Sequence, residues 1–403
     1  MTGVRILEVA QFTFVPAAGA VLADWGADVI KVEHAETGDA QRGLSHLLGL
    51  PLGGNTFAPI MEHPNRGKRS IGLALEHESA RAILYELART SDVFLTNFLP
   101  AARRKLKIEL EDIRAINPDI IYVRGSGFGH KGPEREKGGY DSTAFWARGG
   151  SAAGVTPEGV DGVLGMPAGA YGDSMGGMTI AGGISAALFA REKTGETSVI
   201  DVSLLSTGAW ATALSVNMAL LRDEAPPKPQ VVSGAPTNPL IGAFRTSDDR
   251  WLMLSMLQPG RYWPEFCRYV EREDLITDER FDTVDKIMAN AAEAGRLVAE
   301  ILASRPYAEW VARFQSMEGQ WAAVQNALEV GKDVSLVANG FIADVVDAEG
   351  VTRQLVANPV QFDERPADIR RAPQFAEQTD DILAELGKTQ DEMIELKIEG
   401  AVT

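Results

Sequence analysis

The N-terminal third of the chain alternates short apolar strands with helix-length segments. Strands are predicted at 4–9, 27–33, 70–75, 93–95 and 120–123, with helices at 16–25 and 76–91 between them. Antiparallel neighbours can be joined by short turns, whereas strands separated by helices favour parallel pairing through crossover connections. The alternation therefore predicts an α/β fold built on a doubly wound, mostly parallel sheet.

A change of composition divides the rest of the chain. A strand at 198–202 and a long helix through Leu221 precede the charged, proline-rich stretch 222–229, which has the composition of a linker. We place a large Rossmann-like α/β domain at 1–221, a linker at 222–235, a smaller α+β domain at 236–330 and a C-terminal segment at 331–403. We expect the C-terminal segment to return to the large domain. A chain of 403 residues is long enough for two such domains.

Charge and cysteine content exclude several classes of protein. Asp and Glu outnumber Lys and Arg by 56 to 39, a formal net charge of −17, so neither a nucleic-acid nor a membrane partner is expected. A single cysteine, Cys267, excludes a disulfide framework, and the five histidines lack metal-ligand spacing, so no metal is expected. The sequence shows neither a signal peptide nor a membrane-spanning apolar run. We expect a cytoplasmic protein.

Glycine is concentrated between residues 125 and 183. Such an excess predicts tight turns or close backbone approaches, so this stretch is the first place to look for a site. A helix predicted from Asp173 to Arg191 is rich in Gly and Ala, and it should pack very closely against its neighbours.

Two familiar kinds of site are disfavoured. The opening strand–helix–strand unit with Glu33 at its end suits a dinucleotide, but residues 10–19 lack the G-x-G-x-x-G phosphate loop. The glycines of 125–132 are followed by Pro133 and charged residues rather than a helix, which indicates a loop that lines a ligand. A serine hydrolase of the nucleophile-elbow type is not expected.

Two basic clusters stand out in this acidic chain, at 65–70 and 103–107. Either cluster alone fits a solvated surface. Both lie at the edges of strands in the same predicted sheet, where α/β proteins bind ligands, and together they favour a phosphate-rich ligand of modest size.

Asp173 opens the Gly-rich helix and allows two interpretations. Spacing alone favours a helix N-cap, which needs no further function. Covalent catalysis stays open, because a carboxylate among glycines at a helix N-terminus is unhindered and accessible to a bulky substrate. The helix N-terminus should also favour the anionic form of the carboxyl.

A series of short segments also has a familiar order and spacing: 26–33, 65–71, 92–100, 127–133, 139–141, 172–173, 193–196, 371–373 and 377–380. On these segments the chain resembles the class III CoA transferases, the group that includes formyl-CoA and carnitine CoA transferases and the α-methylacyl-CoA racemases. The resemblance runs nearly end to end.

The resemblance implies an enzyme that moves CoA from an acyl-CoA donor to a free, small or medium carboxylic acid. Asp173 matches the family's catalytic aspartate, which carries an aspartyl-CoA thioester intermediate. CoA is then a substrate rather than a permanently bound cofactor, and the expected assembly is an interlocked homodimer. The resemblance places the CoA contacts at Thr13, Phe14, Arg42, Leu73, Ala74, Leu75, Asn97, Phe98, Lys105, Gly139 and Tyr140.

Departures from the family pattern bear on specificity. Racemases carry a histidine where this chain has Tyr140, which disfavours a racemase or epimerase unless another group supplies the second base. Formyl-CoA-type members have a glutamine at the position of Thr13, although Gln11 is near, and a glycine run where 233–236 has one glycine. Formate or oxalate specificity is therefore not expected. A non-catalytic CoA-binding homologue is the remaining alternative, and the Gly-rich context of Asp173 speaks against it.

Overall fold

The chain consists of two compact units. The computed structural model describes residues 1–44, 46–47, 50–51, 57–229 and 237–403. The larger unit comprises Met1–Lys228 with Val334–Thr403, and the smaller one comprises Pro229–Asp333. The sequence-based bounds of the small domain, 236–330, differ from these by a few residues. Residues 230–235 of the predicted linker, and the 233–236 segment discussed above, lie outside the described residues.

The large unit is built on a parallel sheet. The described strands are β1 (Arg5–Val9), β2 (Asp28–Glu33), β3 (His46–Leu47), β4 (Leu50–Pro51), β5 (Arg69–Gly72), β6 (Val93–Thr96), β7 (Ile121–Ser126), β8 (Val199–Ser203), β9 (Ile241–Arg245), β10 (Trp251–Ser255), β11 (Trp321–Ala323), β12 (Ile342–Val346) and β13 (Thr352–Val356). Six of them form one sheet in the order β5-β2-β1-β6-β7-β8, and every neighbouring pair is parallel. This confirms the predicted doubly wound α/β sheet. Its strand order reverses direction between β1 and β6, and α/β sheets bind ligands at such a point.

The described helices are α1 (Phe14–Asp24), α2 (Pro59–Asn65), α3 (Glu78–Arg89), α4 (Pro100–Leu106), α5 (Leu110–Ile116), α6 (Ser151–Val155), α7 (Tyr171–Thr194), α8 (Leu204–Ala211), α9 (Ala213–Arg222), α10 (Pro259–Tyr269), α11 (Val284–Ala289), α12 (Ala291–Leu302), α13 (Tyr307–Phe314), α14 (Ala327–Val330), α15 (Val334–Ala338), α16 (Thr379–Glu385) and α17 (Gln390–Ile398). A π-helical segment spans Asp141–Ala147, and two 3₁₀ turns span Ala40–Gly43 and Glu273–Ile276.

Apolar cores cover both faces of the sheet. Alternate strand residues point to opposite faces, so Ile6 packs in one core and its neighbour Leu7 in the other. The first core receives α1 and α7, and the second receives α3 and α5. Strands buried on both faces read as near-continuous apolar runs, which is why the sequence revealed them.

Glycines let α7 approach α1 very closely, as predicted. A Cβ atom at Gly176 would lie 2.2 Å from the Phe14 ring, and one at Gly177 would lie 2.6 Å from the Ala17 Cβ. The helix also extends further than predicted, to Thr194, and ends at Gly195 with a left-handed φ of 74°. This close packing fixes the position of the α7 N-terminus, where Asp173 lies.

The long helix predicted through Leu221 is in fact broken. Helices α8 and α9 meet at Thr212 with a bend of 77°. The Thr212 hydroxyl donates to the carbonyl of Gly149 at 2.8 Å, a tertiary contact that the sequence did not reveal. No single described helix is long and apolar enough to cross a membrane, and the α8–α9 pair meets that criterion only when its two bent halves are combined.

The small unit is of α+β type. Strands β9, β10 and β11 form an antiparallel sheet in the order β11-β10-β9. Its core is aromatic, with Trp263, Phe266, Trp310 and Phe314 buried.

Candidate active site

A cavity of about 720 Å³ lies at the carboxyl ends of four neighbouring strands of the parallel sheet. Gln11 and Phe12 follow β1, Asn97 and Phe98 follow β6, and residues at the ends of β7 and β8 complete that side. Asp173, at the start of α7, contributes a carboxyl group to the lining. The cavity thus lies where the strand order reverses between β1 and β6.

Asp173 lies within the first turn of α7 and does not cap it. The cap position is Ala170, whose backbone is left-handed with φ of 60°, and no side chain caps the helix. The structural interpretation as an N-cap is therefore wrong. No hydrogen bond to the Asp173 carboxyl is found among the described residues, so this half-buried group faces the cavity without a partner.

The electrostatic surroundings of Asp173 differ from the sequence-based expectation. Burial, with a smaller contribution from the carboxylate of Asp141, raises the pKa of Asp173 to about 7. The helix N-terminus was expected to favour the anion, but loss of hydration and a like charge outweigh it. Asp141 is itself buried, and its carboxyl accepts the backbone N–H of Ser142 at 2.7 Å. Asp173 is therefore unusually basic for a carboxylate, and both its protonated and its ionised forms are present at neutral pH.

Aromatic side chains form one wall of the cavity. The rings of Phe12 and Tyr140 meet edge to face, with centroids 5.8 Å apart. Phe14 and Phe98 also line the cavity. This wall suits the apolar part of a ligand, such as an acyl chain, because such a group can pack against the aromatic rings. A small ion would not make these contacts.

Six of the residues predicted for the site line this cavity together: Phe14, Asn97, Phe98, Gly139, Tyr140 and Asp173. Asn97 also orders the loop opposite it, because its amide accepts from Gln11 N at 3.0 Å and donates to Gln11 O at 2.6 Å. The structure thus brings residues from β1, β6, the glycine loop and α7 to one place.

The other predicted CoA contacts lie elsewhere. Thr13 is buried and donates to the Gln41 side chain at 2.9 Å, whereas Gln11 lines the cavity. Arg42 forms a bidentate ion pair with Glu33, at 2.7 Å for both bonds.

Leu73, Ala74 and Leu75 are buried, and the C-terminal residues pair with this segment through Ala401 O and Val402. Lys105 is exposed on α4 and does not line the cavity. Their assignment to CoA remains a prediction.

The basic side chains of the first cluster form ion pairs with acids from other elements of the fold. Arg66 pairs with Asp24 at 2.8 Å, Lys68 with Glu8 at 2.7 Å, and Arg69 with Asp28 at 2.8 Å. These acids are distant in sequence, so the pattern of basic residues alone did not reveal them. Of the second cluster, Arg103 and Arg104 line the cavity and pair with Glu109 and Glu136.

Sequence reasoning missed several charged residues of the cavity, among them an ion-paired cluster at the ends of β7 and β8. Arg124 on β7 lies opposite Asp201 on β8 in the parallel register, and the two pair at 2.7 Å. His130 Nδ1 lies 3.3 Å from Asp201, and all three residues line the cavity. The strand register pairs Arg124 with Asp201, which is 77 residues away in sequence, so no local motif could have revealed this pair. Within the described part of the chain, no group of three or more His, Cys, Asp or Glu side chains could hold a metal ion.

Comparison with known proteins gives consistent matches over the whole length. Residues 1–379 match the CoA-transferase family III. The chain is 28% identical over 398 residues to (R)-2-hydroxy-4-methylpentanoate CoA-transferase of Clostridioides difficile, covering 98% of each chain. It is 30% identical over 400 residues to cinnamoyl-CoA:phenyllactate CoA-transferase of Clostridium sporogenes, covering 98% of this chain and 95% of that one.

Solved structures show the same fold. A CAIB/BAIF family protein from Brucella suis superimposes with a TM-score of 0.80 at 26% identity, covering 96% of this chain and 98% of that one. Rv3272 from Mycobacterium tuberculosis gives a TM-score of 0.77 at 28% identity, with coverage of 95% and 99%.

Proposed function

Because the chain belongs to the CoA-transferase family III and is a CoA transferase, we propose that it transfers CoA by covalent attack of Asp173 on an acyl-CoA donor. The observation that carries this proposal is the state of the Asp173 carboxyl. It faces the cavity without a hydrogen-bond partner among the described residues, and its pKa is raised to about 7. A carboxylate that is more basic than usual and weakly solvated is a better nucleophile.

The proposed reaction needs no net proton transfer. An Asp173 oxygen attacks the thioester carbon, the C–S bond breaks, and a mixed anhydride and CoA thiolate form. The thiolate then attacks the aspartyl carbonyl, which releases the donor carboxylate and leaves an aspartyl-CoA thioester. The acceptor carboxylate attacks the carbonyl of that thioester, the C–S bond breaks, and a second anhydride and CoA thiolate form. The thiolate finally takes the acceptor acyl group and frees Asp173.

We place the reactive end of the acyl-CoA against the aromatic wall of the cavity. Asn97, Phe98, Gly139 and Tyr140 line the cavity on the sides of β6 and the glycine loop, and this mixture of aromatic and polar groups suits the methylene and amide groups of the pantetheine arm. Gln11 lines the cavity, whereas Thr13 is buried against Gln41, so we assign to Gln11 the polar contact that the resemblance places at Thr13.

We propose that the acceptor is a 2-hydroxy acid with an apolar side chain. Two relatives act on 2-hydroxy acids with apolar side chains, and the aromatic wall of this cavity suits such a side chain. A panel of 2-hydroxy acids and simple fatty acids, each mixed with several acyl-CoA donors and followed by mass spectrometry, identifies the pair.

Substitution of Asp173 by Asn tests the mechanism. The amide keeps the size of the side chain but removes the nucleophile, so turnover should fall by at least about a thousand-fold, some 4 kcal/mol in barrier, while the fold survives. Wild-type protein incubated with acyl-CoA alone should carry a hydroxylamine-sensitive adduct at residue 173. Glu111→Gln, which changes another carboxyl of the cavity lining, should keep the adduct. Near-wild-type transfer by Asp173→Asn would exclude the mechanism.

An epimerase is the second candidate, and His130 is the observation that favours it. This histidine lines the same cavity and contacts Asp201, so it is a candidate for the second base that Tyr140 cannot supply. Incubation of a 2-methylacyl-CoA in heavy water separates the two functions. A transferase shows little α-deuterium while transfer to acids is extensive, whereas an epimerase exchanges the α-proton without any acid and loses this exchange in His130→Gln.

A further inference from the structure

A cluster of fully buried charges lies beneath the loop that joins β1 to α1. Lys31, Lys68, Glu8 and Asp39 all have side chains with 0% exposure. Lys31 Nζ lies 2.8 Å from Asp39 and 3.4 Å from Glu8, and Lys68 Nζ lies 2.7 Å from Glu8. Glycine makes room for the cluster, because a Cβ atom at Gly19 of α1 would lie 2.1 Å from a Glu8 carboxyl oxygen.

The cluster holds the main chain of that loop and of the first turn of α1 at three points. Lys31 Nζ donates to Ala10 O at 2.9 Å, and Lys68 Nζ donates to Pro16 O at 2.9 Å. Between them, Phe12 N donates to Asp39 Oδ1 at 3.1 Å. The same loop supplies cavity-lining residues, so the buried charges act on a segment that forms the proposed active site.

The contact between Phe12 and Asp39 fixes an unfavourable conformation. Phe12 has a left-handed backbone with φ of 63°, which a bulky residue rarely adopts unless its surroundings impose it. In this conformation its ring meets the edge of Tyr140 across the cavity. Burial disfavours the charged form of Lys31, but the nearby carboxylates of Asp39, Glu8 and Glu33 outweigh it and raise its pKa above the usual value. The cation therefore stays charged and keeps the Asp39 carboxylate oriented.

A buried ion pair is a poor source of stability, because desolvation offsets most of its attraction. We propose that Asp39 is a positioning residue: through its pair with Lys31 it fixes the strained Phe12 backbone and so sets the aromatic wall that places the thioester beside Asp173. This inference rests on the proposed transferase function. Asp39 itself is buried and does not line the cavity, so it acts through Phe12.

A double-mutant cycle separates positioning from plain stability. The variants are Asp39→Asn, Phe12→Gly and the two combined. Asp24→Asn is a matched control, since Asp24 is a buried acid paired with Arg66 that does not line the cavity. CoA release on mixing with acyl-CoA is followed well below each Tm, together with kcat, KM and Tm.

Asp39→Asn should lower kcat by at least tenfold with KM changed less than threefold. In the Phe12→Gly background, Asp39→Asn should lower kcat by less than threefold, because the Phe12 side chain through which Asp39 acts is absent.

Two further variants complete the test: the Asp24→Asn control, and a double variant in which the buried Lys31–Asp39 ion pair is replaced by uncharged residues. Asp24→Asn should lower Tm but leave kcat within twofold. If Asp39→Asn does not fold, Lys31→Met combined with Asp39→Asn removes both charges of this ion pair. Tm should then recover, and kcat should still be at least tenfold low. Additive losses in the cycle, or full kcat in the neutral pair, would overturn the proposal. Transfer that survives Asp173→Asn would instead refute the proposed function, so the two failures are distinguishable.

Discussion

Asp173 combines a raised pKa with a proposed role that requires the anion, and this predicts a pH dependence of the reaction. With a pKa of about 7, the fraction of ionised Asp173 rises steeply through neutral pH. We expect kcat/KM to rise with pH and to level off above that value. Asp141→Asn removes the like charge, so the pKa of Asp173 should fall and the rise should shift to lower pH. Rate profiles of both proteins test this, and coincident profiles would contradict the role of Asp141.

The same raised pKa links Asp173 to stability. The folded state binds the Asp173 proton more tightly than the unfolded state, whose carboxyl has the ordinary pKa of 3.8. The stabilisation by this proton is complete below about pH 4 and is lost as pH rises through about 7. Asp173→Asn, which cannot ionise, should therefore be more stable than wild type at pH 8 and show little advantage at pH 4. Thermal unfolding at the two pH values measures the difference, and an equal advantage at both would contradict the linkage.

At the scale of elements, the position of Asp173 depends on how closely α7 packs on α1. Alanine favours a helix over glycine by up to about 1 kcal/mol, but a Cβ atom at Gly177 would lie 2.6 Å from the Ala17 Cβ. Gly177→Ala should therefore lower Tm and also lower kcat, because the helix that carries Asp173 must shift. Gly182→Ala in the same helix meets nothing within 4 Å and should keep kcat and raise Tm slightly. Equal effects of the two substitutions would rule out this reasoning.

The elements of the sheet could be predicted because their signal is local. Strands β1, β2 and β6 are mostly apolar and buried on both faces, and helix α3 shows a clear apolar stripe, so each appears in the sequence within a few residues of its bounds. The bend at Thr212 escaped prediction because the tertiary contact found there, a hydrogen bond to the distant Gly149, leaves no local signal in the sequence.

The part of the candidate site that lies in short sequence motifs could be predicted. Asp173, Asn97 and Tyr140 were identified through short segments resembling a family, and they line one cavity. The charges around them were not predictable in this way. Arg66 and Lys68 suggested a phosphate site, yet each pairs with a buried acid from another element. Such pairing depends on three-dimensional neighbours, which a single sequence does not contain.

At the scale of the whole molecule, an exposed apolar surface on the large unit predicts that this unit binds a partner. Helix α9 carries leucines, a valine and a methionine, yet none of its residues is buried. Leu214 and Leu221 are 77% and 85% exposed, and Trp210 of α8 is 81% exposed. Exposed apolar area on this scale marks an interaction surface, and the resemblance to interlocked dimers makes a second copy of the chain the expected occupant.

We therefore expect a homodimer that does not dissociate readily. Its interface should be apolar and well above about 2,000 Å², the range of obligate dimers. Sedimentation velocity at low micromolar concentration should show the dimer alone. Leu214→Lys combined with Leu221→Lys introduces charges into the apolar face and should give monomer or aggregate. Ile398→Lys changes an equally exposed apolar residue at the end of α17 and should leave the dimer intact. A stable wild-type monomer, or a dimer unaffected by the α9 substitutions, would show that α9 is not the interface.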